Sequence, residues 1–263
     1  MDRKFGIELE CLRQSNLDDS EILKKIKDAG FDAVFSNKYD IHEIEYISNE
    51  AAKLGLEVEF LHAPFRGIND FWCAGPKYLP LKKTIHQSID SAAAFDIPII
   101  IMHVDSGWYP PDICDIGLER FDSLVEYASS KGVKIAFENI RNFGTLAAMM
   151  QRYRLLPDVG YCYDCGHEHC YTETVHFTEL FGPKLLCTHI HDNVGRNGRD
   201  NPDDHLMMFD GNIDYVDMMR RLRSIGYSGN LTVELEKNSK YDYMTDEEYV
   251  KTAYERIVKI SKL

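Results

Sequence analysis

The chain has 263 residues, of which 44% are hydrophobic, and a formal charge of −13 from 43 acidic and 30 basic side chains. That length and balance suit one soluble α/β domain with a sizeable core, and the acidic surplus repels nucleic acid and anionic membranes at long range. Seven scattered cysteines, an odd number in a chain too large to need staples, point to a reducing compartment rather than a disulfide framework.

Short β-rich runs alternate with amphipathic runs along the whole chain. The strands read as KFGIELEC (4–11), DAVFSN (32–37), LEVEFLHA (56–63), IPIIIMHV (97–104), VKIAFENI (133–140), VGYCYDCG (159–166), LLCTHIHD (185–192) and NLTVELE (230–236). Helical spacing of apolar residues separates them: Ile22, Leu23 and Ile26; Phe121, Leu124 and Ala128; Ile213, Val216, Met219 and Leu222. Gly30, Gly55, Gly132 and Gly226 close four helices just before the next strand. Eight such units in about 250 residues predict a single-domain (β/α)8 TIM barrel over 1–263. An open doubly wound sheet is disfavoured because no GxGxxG follows the first strand, which continues GIELECLRQ. MDRKFGIELEC lacks an apolar run of signal-peptide length, and residues 97–104 are too few to span a bilayer, so a cytoplasmic protein is expected.

Chemistry in such barrels sits at the C-terminal strand ends. Those ends carry Glu8 and Glu10, His62, His103, Glu138, Asp164 with His167, His189 with His191, and Glu234; Asp203, Asp204 and His205 follow in the seventh loop. Six of the ten histidines thus fall at or just after strand ends, whereas His42, His86 and His176 fall in helical stretches. Alternation in the seventh strand puts Cys187, His189 and His191 on one face, and in the eighth puts Glu234 with Thr232. Two glutamates, an aspartate and a histidine form a mixed oxygen and nitrogen shell suited to Mn2+, Mg2+, Co2+ or Zn2+. Such an ion polarises a carbonyl and acidifies a neighbouring hydroxyl, and flanking carboxylates then pass a proton between carbons.

The ordered set FLHAPF, IMHVDSG, FENI, YDCGH, THIHDN, DDH and VELE resembles the xylose-isomerase-like TIM-barrel superfamily over nearly the whole chain. That group includes sugar isomerases, ketose 3-epimerases, inosose dehydratases and endonuclease IV. The resemblance implies one metal on Glu138, Asp164, His189 and Glu234, with His189 chosen over His191 because Asp192 follows it at the family's spacing. It further implies Glu138 and Glu234 as the acid/base pair and His167 on substrate oxygens. Endonuclease IV-like members hold three zinc ions with a larger set, for which His62, His103, His167, Asp203 and His205 are candidates here, so between one and three ions are implied. Within that loop either aspartate of the DDH run fits. His191, one pleat beyond His189, is expected to face substrate or a second ion.

The expected partner is a small sugar or sugar phosphate, acted on by a metal-dependent isomerase or epimerase. Zinc phosphodiesterase action on abasic DNA, polyol or inosose dehydration, and sugar binding without catalysis are the alternatives. The charge argues against nucleic acid, because a DNA enzyme needs many phosphate contacts. No membrane partner is expected, and homo-oligomer formation stays open. Arg196 and Arg199 are candidates for a phosphate or sugar hydroxyls, and Trp108 for an aromatic wall. The loop 65–78, with Trp72, reads either as a lid over substrate or as a packed surface loop. CYDCGHEHC (162–170) contains C-x-x-C, but it lacks the second pair expected of a structural zinc site.

Overall fold

The computed structural model describes residues 3–263. Its eight strands are β1 (Phe5–Glu8), β2 (Ala33–Ser36), β3 (Glu57–His62), β4 (Ile99–Met102), β5 (Lys134–Glu138), β6 (Val159–Asp164), β7 (Leu185–His189) and β8 (Leu231–Val233). The helices are α1 (Asp19–Ala29), α2 (Ile41–Leu54), α3 (Leu79–Ala94), α4 (Asp115–Ser130), α5 (Phe143–Arg152), the single turn α6 (Cys165–His167), α7 (Phe177–Phe181), α8 (Tyr215–Ser224) and α9 (Asp246–Ser261). All strand pairs are parallel, in the order β7-β6-β5-β4-β3-β2-β1-β8. Just past β7, Ile190 bridges Val233 of β8 and completes the circuit, with Ile190 N–H donating to Thr232 O at 2.8 Å. The fold is therefore the expected TIM barrel in one domain.

Two apolar layers result from strand alternation. Outward residues such as Ile7, Val34, Leu61, Ile100 and Phe137 pack with the helices in one large core. Inward residues Phe35, Phe60, Ile101, Ala136, Cys162 and Cys187 fill the barrel as a separate plug. Burial of this kind stabilises by roughly 25 cal/mol per Å2 of apolar surface. Below the plug, Glu59 is buried and accepts from Thr232 Oγ1 at 2.6 Å and Asn230 Nδ2 at 2.9 Å, which closes the base of the barrel with a polar layer. Gly160 is required by close approach: a Cβ there would lie 2.1 Å from the Lys184 carbonyl oxygen beside β6.

Helix ends follow the sequence signals. Asp18 with Glu21 and Thr245 with Glu248 form capping boxes at α1 and α9. The four expected glycines all have positive φ. The α8 face departs from expectation. Met219 and Leu222 are buried as expected, but Val216 is 58% exposed, and Tyr215 and Met218 complete the buried face instead. The helix begins at Tyr215, so Ile213 lies before it and does not set its phase.

Candidate metal centre

The plug forms the floor of the site. His189 stacks on Phe35, with ring centroids 5.0 Å apart, and is 0% exposed. Register brings the chemistry to one height, since Asp164 of β6 sits opposite His189 of β7. Glu138, Asp164, His189 and Glu234 each offer a ligand atom, all within 4.8 Å of one another. His189 Nδ1 donates to Glu138 Oε1 at 2.9 Å and lies 3.2 Å from Glu234 Oε2. No group orients the other ring nitrogen: Nε2 finds no partner among the protein atoms.

Two further groups adjoin this one. His62 and His103 approach Glu138 Oε2 at 3.2 and 2.8 Å, forming a second set with it. His167, His191, Asp203 and His205 form a third. In that set His167 Nε2 is 3.0 Å, and His205 Nε2 3.3 Å, from Asp203 Oδ2. Asp203 is therefore the aspartate of the DDH run that joins the ligand group, while Asp204, also on the cavity wall, holds Arg199 through two hydrogen bonds of 2.7 and 2.8 Å.

His191 belongs to the third group and does not line the cavity above it. It is 0% exposed, shares its Nε2 hydrogen between both Asp164 oxygens at 3.1 Å, and stacks on His205 with centroids 4.0 Å apart. Gly166 makes room for it, because a Cβ at Gly166 would lie 2.0 Å from the His191 ring. Asp192 accepts N–H bonds from Phe209 and Ile213 and so shapes the loop that carries Asp203 and His205.

The electrostatics follow from burial among opposite charges. Burial alone raises the Glu138 carboxyl, but His189, His103 and His62 reverse this and hold it well below the usual range. Glu234 is lowered in the same way by His189 and His205. Burial lowers His167, yet Asp164 and Asp203 overcome it and raise the group to about 10. His189 and His205 lie well above the ordinary imidazole value for the same reason. Protons thus bridge carboxylates and imidazoles at the points where cations fit. Glu8, buried and facing Glu234, is pushed up to about 8.

A cavity of about 660 Å3 opens above these groups. His62, His103, Glu138, His167, Asp203, His205 and Glu234 line it, together with Glu8, Asn37, Phe65 and Arg66. Sequence reasoning gave no role to Phe65, whose ring stacks on His103 at 4.0 Å. It also missed Asn139, which brackets Asp164: its Nδ2 donates to Asp164 O and its Oδ1 accepts from Asp164 N, both at 2.8 Å, while its own carbonyl accepts from His167 Nδ1 at 2.9 Å. The signal was present, as a polar residue directly after the Glu138 strand end.

The other expected substrate contacts lie outside the cavity lining. Trp72 is buried against Gly117 and donates to Val104 O at 2.8 Å. Trp108 donates to Asp200 O and carries Arg196 over its ring. The loop 65–78 is packed down rather than free. Arg120 donates to the carbonyls of Asp70, Phe71, Cys73 and Gly75 at 2.7–3.1 Å and stacks on Tyr78. The C-x-x-C pair is divided, with Cys162 inside the barrel and Cys165 in the outer core.

The model of the family described as xylose isomerase-like TIM barrel matches residues 23–260, and the chain belongs to that family. The uncharacterized protein MJ1311 of Methanocaldococcus jannaschii is 26% identical over 286 aligned positions, covering 100% of this chain and 94% of that one. Among solved structures, the IolI protein with a bound zinc atom superposes with a TM-score of 0.79 at 18% identity, covering 98% of both chains. D-psicose 3-epimerase from Clostridium cellulolyticum H10, solved with D-tagatose, gives 0.77 at 16% identity and the same coverage. No helix among the described residues is long and apolar enough to cross a membrane.

Proposed function

We propose that the protein is a metal-dependent isomerase or epimerase of a small sugar or sugar phosphate. The observation that carries this reading is the convergence of Glu138, Asp164, His189 and Glu234, within 4.8 Å, on the floor of a sugar-sized cavity. The donor set, three carboxylates and one imidazole, fits a divalent cation of the Mn2+ or Zn2+ kind. A bound ion would polarise a substrate carbonyl and lower the pKa of an adjacent hydroxyl. Glu234, which faces the cavity, takes a proton from one carbon and returns it to the next, with Glu138 as its counterpart. His167 donates to a substrate oxygen, and Phe65 supplies an apolar wall. The fold shared with D-psicose 3-epimerase and with zinc-bound IolI supports the same reading.

The test is a screen of ketoses, aldoses and their phosphates with Mn2+, following proton exchange from solvent by NMR. Exchange into substrate that disappears in Glu234→Gln is the expected result. Absence of exchange across the panel, with metal bound, would sink the proposal. Loss of water from a polyol in the same screen would move the assignment to a dehydratase.

One observation favours a second reading. The two additional ligand groups around Glu138 and Asp203 would let the site hold three ions, as a zinc phosphodiesterase of the endonuclease IV kind requires. The net charge of −13 opposes a nucleic-acid substrate. Cleavage of an abasic duplex by the zinc-loaded protein would reverse the ranking.

A further inference from the structure

Thirteen arginines occur in the chain. Ten guanidiniums reach a carboxylate or a backbone carbonyl. The three that reach neither among the described residues, Arg66, Arg141 and Arg196, all lie on loops at the C-terminal mouth of the barrel, after β3, β5 and β7. Two of them flank one aromatic cluster. Arg196 lies over the Trp108 ring at 4.0 Å, and Arg141 lies over Tyr171 at 4.3 Å and near the same Trp108 at 5.6 Å. Tyr171 in turn packs on His167, with centroids 5.1 Å apart, so a single ring separates Arg141 from the cavity wall.

Stacking engages only the face of a guanidinium. It fixes the plane and leaves the N–H donors at the edge available. The Arg141 Nε is buried and has no acceptor among the protein atoms, a costly arrangement unless a ligand supplies one. Asp105 forms no ion pair with Arg141; burial raises its carboxyl, and the nearby guanidinium only partly offsets this. In a chain of charge −13, two guanidiniums that share the Trp108 ring and form no ion pair call for an anion from outside. Planar forks of this kind suit phosphate oxygens bidentately.

We infer that Arg141 and Arg196, framing Trp108 and Tyr171, bind the phosphate group of the substrate, which makes the natural substrate a phosphorylated sugar. This deepens the isomerase or epimerase reading and rests on it for the sugar. The anion site itself is testable without turnover.

The experiment titrates the metal-loaded protein with inorganic phosphate by calorimetry at constant ionic strength, with metal content measured in parallel. Wild type, Arg141→Gln, Arg196→Gln and the corresponding Lys variants are compared. Each Gln variant should bind phosphate at least about tenfold more weakly with unchanged metal content, as loss of a charge-assisted hydrogen bond implies. The Lys variants should fall between, because they keep the charge and lose the fork. Phosphate affinity equal to wild type in all four variants would overturn the inference, since the phosphate would then sit on the metal alone. Tighter binding of glucuronate than of phosphate would also overturn it, by making the anion a carboxylate. Turnover of an unphosphorylated sugar that both Gln variants leave intact would sink the phosphate site and keep the enzyme reading. Arginine-dependent phosphate binding without any sugar turnover would do the reverse.

Discussion

Replacing His191 and His189 separately by alanine tests the proposal that His189 is a ligand of the four-residue group and that His191 orients Asp164 within it. His191 contributes one hydrogen bond shared between the two Asp164 oxygens at 3.1 Å. Without it, Asp164 keeps the His167 backbone N–H at 2.6 Å on Oδ1, so the carboxylate stays in place but turns more freely. A hydrogen bond to a charged group is worth about 1.5–3 kcal/mol. Loss of a partner that orients a metal ligand weakens metal affinity by roughly 10–100-fold. His191→Ala should therefore still bind the ion of the four-residue group at saturation, with a dissociation constant higher by that factor. His189→Ala removes a donor atom from the four-ligand group and should lower the stoichiometry by one ion at any attainable concentration. The assay is competitive chelator titration with elemental analysis of both proteins. Should His191→Ala lose an ion outright while His189→Ala keeps all of them, the ligand assignment in β7 is wrong by one pleat.

Three more outcomes follow from the geometry. The imidazolium of His167, raised from 6.5 to about 10, stabilises the metal-free fold fully below about pH 6.5 and loses that contribution as pH rises through about 10. Thermal melts of chelator-treated protein should thus drop between pH 7 and 10, whereas the metal-loaded protein, which needs neutral imidazoles, should weaken on acidification instead; parallel trends in the two forms would refute this. Arg120→Met, by removing four donor contacts to loop 65–78, should lower the melting temperature by roughly 5 °C and speed proteolysis within that loop, with metal content unchanged. Gly160→Ala forces a Cβ to within 2.1 Å of a backbone oxygen and should cost at least about 1–3 kcal/mol, read as a loss of soluble yield or a lower denaturant midpoint.

Strand ends were legible because parallel barrels place side chains by two simple rules, alternation along a strand and common direction of all strands. Those rules located Glu138, Asp164, His189 and Glu234 from single residues at run ends. They also put His191 on the inner face, correctly, but not its depth. Ile190 leaves the β7 ladder to bridge Val233, and His191 drops beside Asp164 instead of continuing toward the rim. Loop residues were less legible. Asp203 differs from Asp204 only through the turn ahead of His205, which has a φ of +42°, and no local pattern encodes which carboxylate that turn presents. Trp72 and Trp108 were read from type alone. Whether an indole faces substrate or core depends on partners such as Gly117 and Asp200, which are distant in sequence.

The proposed chemistry turns on Glu138, where two of the candidate ligand groups meet. Its Oε1 faces His189 and its Oε2 faces His62 and His103, and the residue is 1% exposed. Although the residue lines the cavity, both of its oxygens are engaged by imidazoles. Proton transfer by Glu138 therefore requires His62 and His103 to yield Oε2 when substrate enters. Glu234 needs no such release, because it lines the cavity with an Oε2 that takes no hydrogen bond from the protein. An ion placed among His62, His103 and Glu138 would coordinate Oε2 and remove Glu138 from acid/base work altogether. A single bound ion thus leaves a two-glutamate isomerase attainable, while three ions leave a polynuclear hydrolase centre with Glu138 as bridge. The number of ions retained at saturation consequently selects between the two readings before any substrate is known.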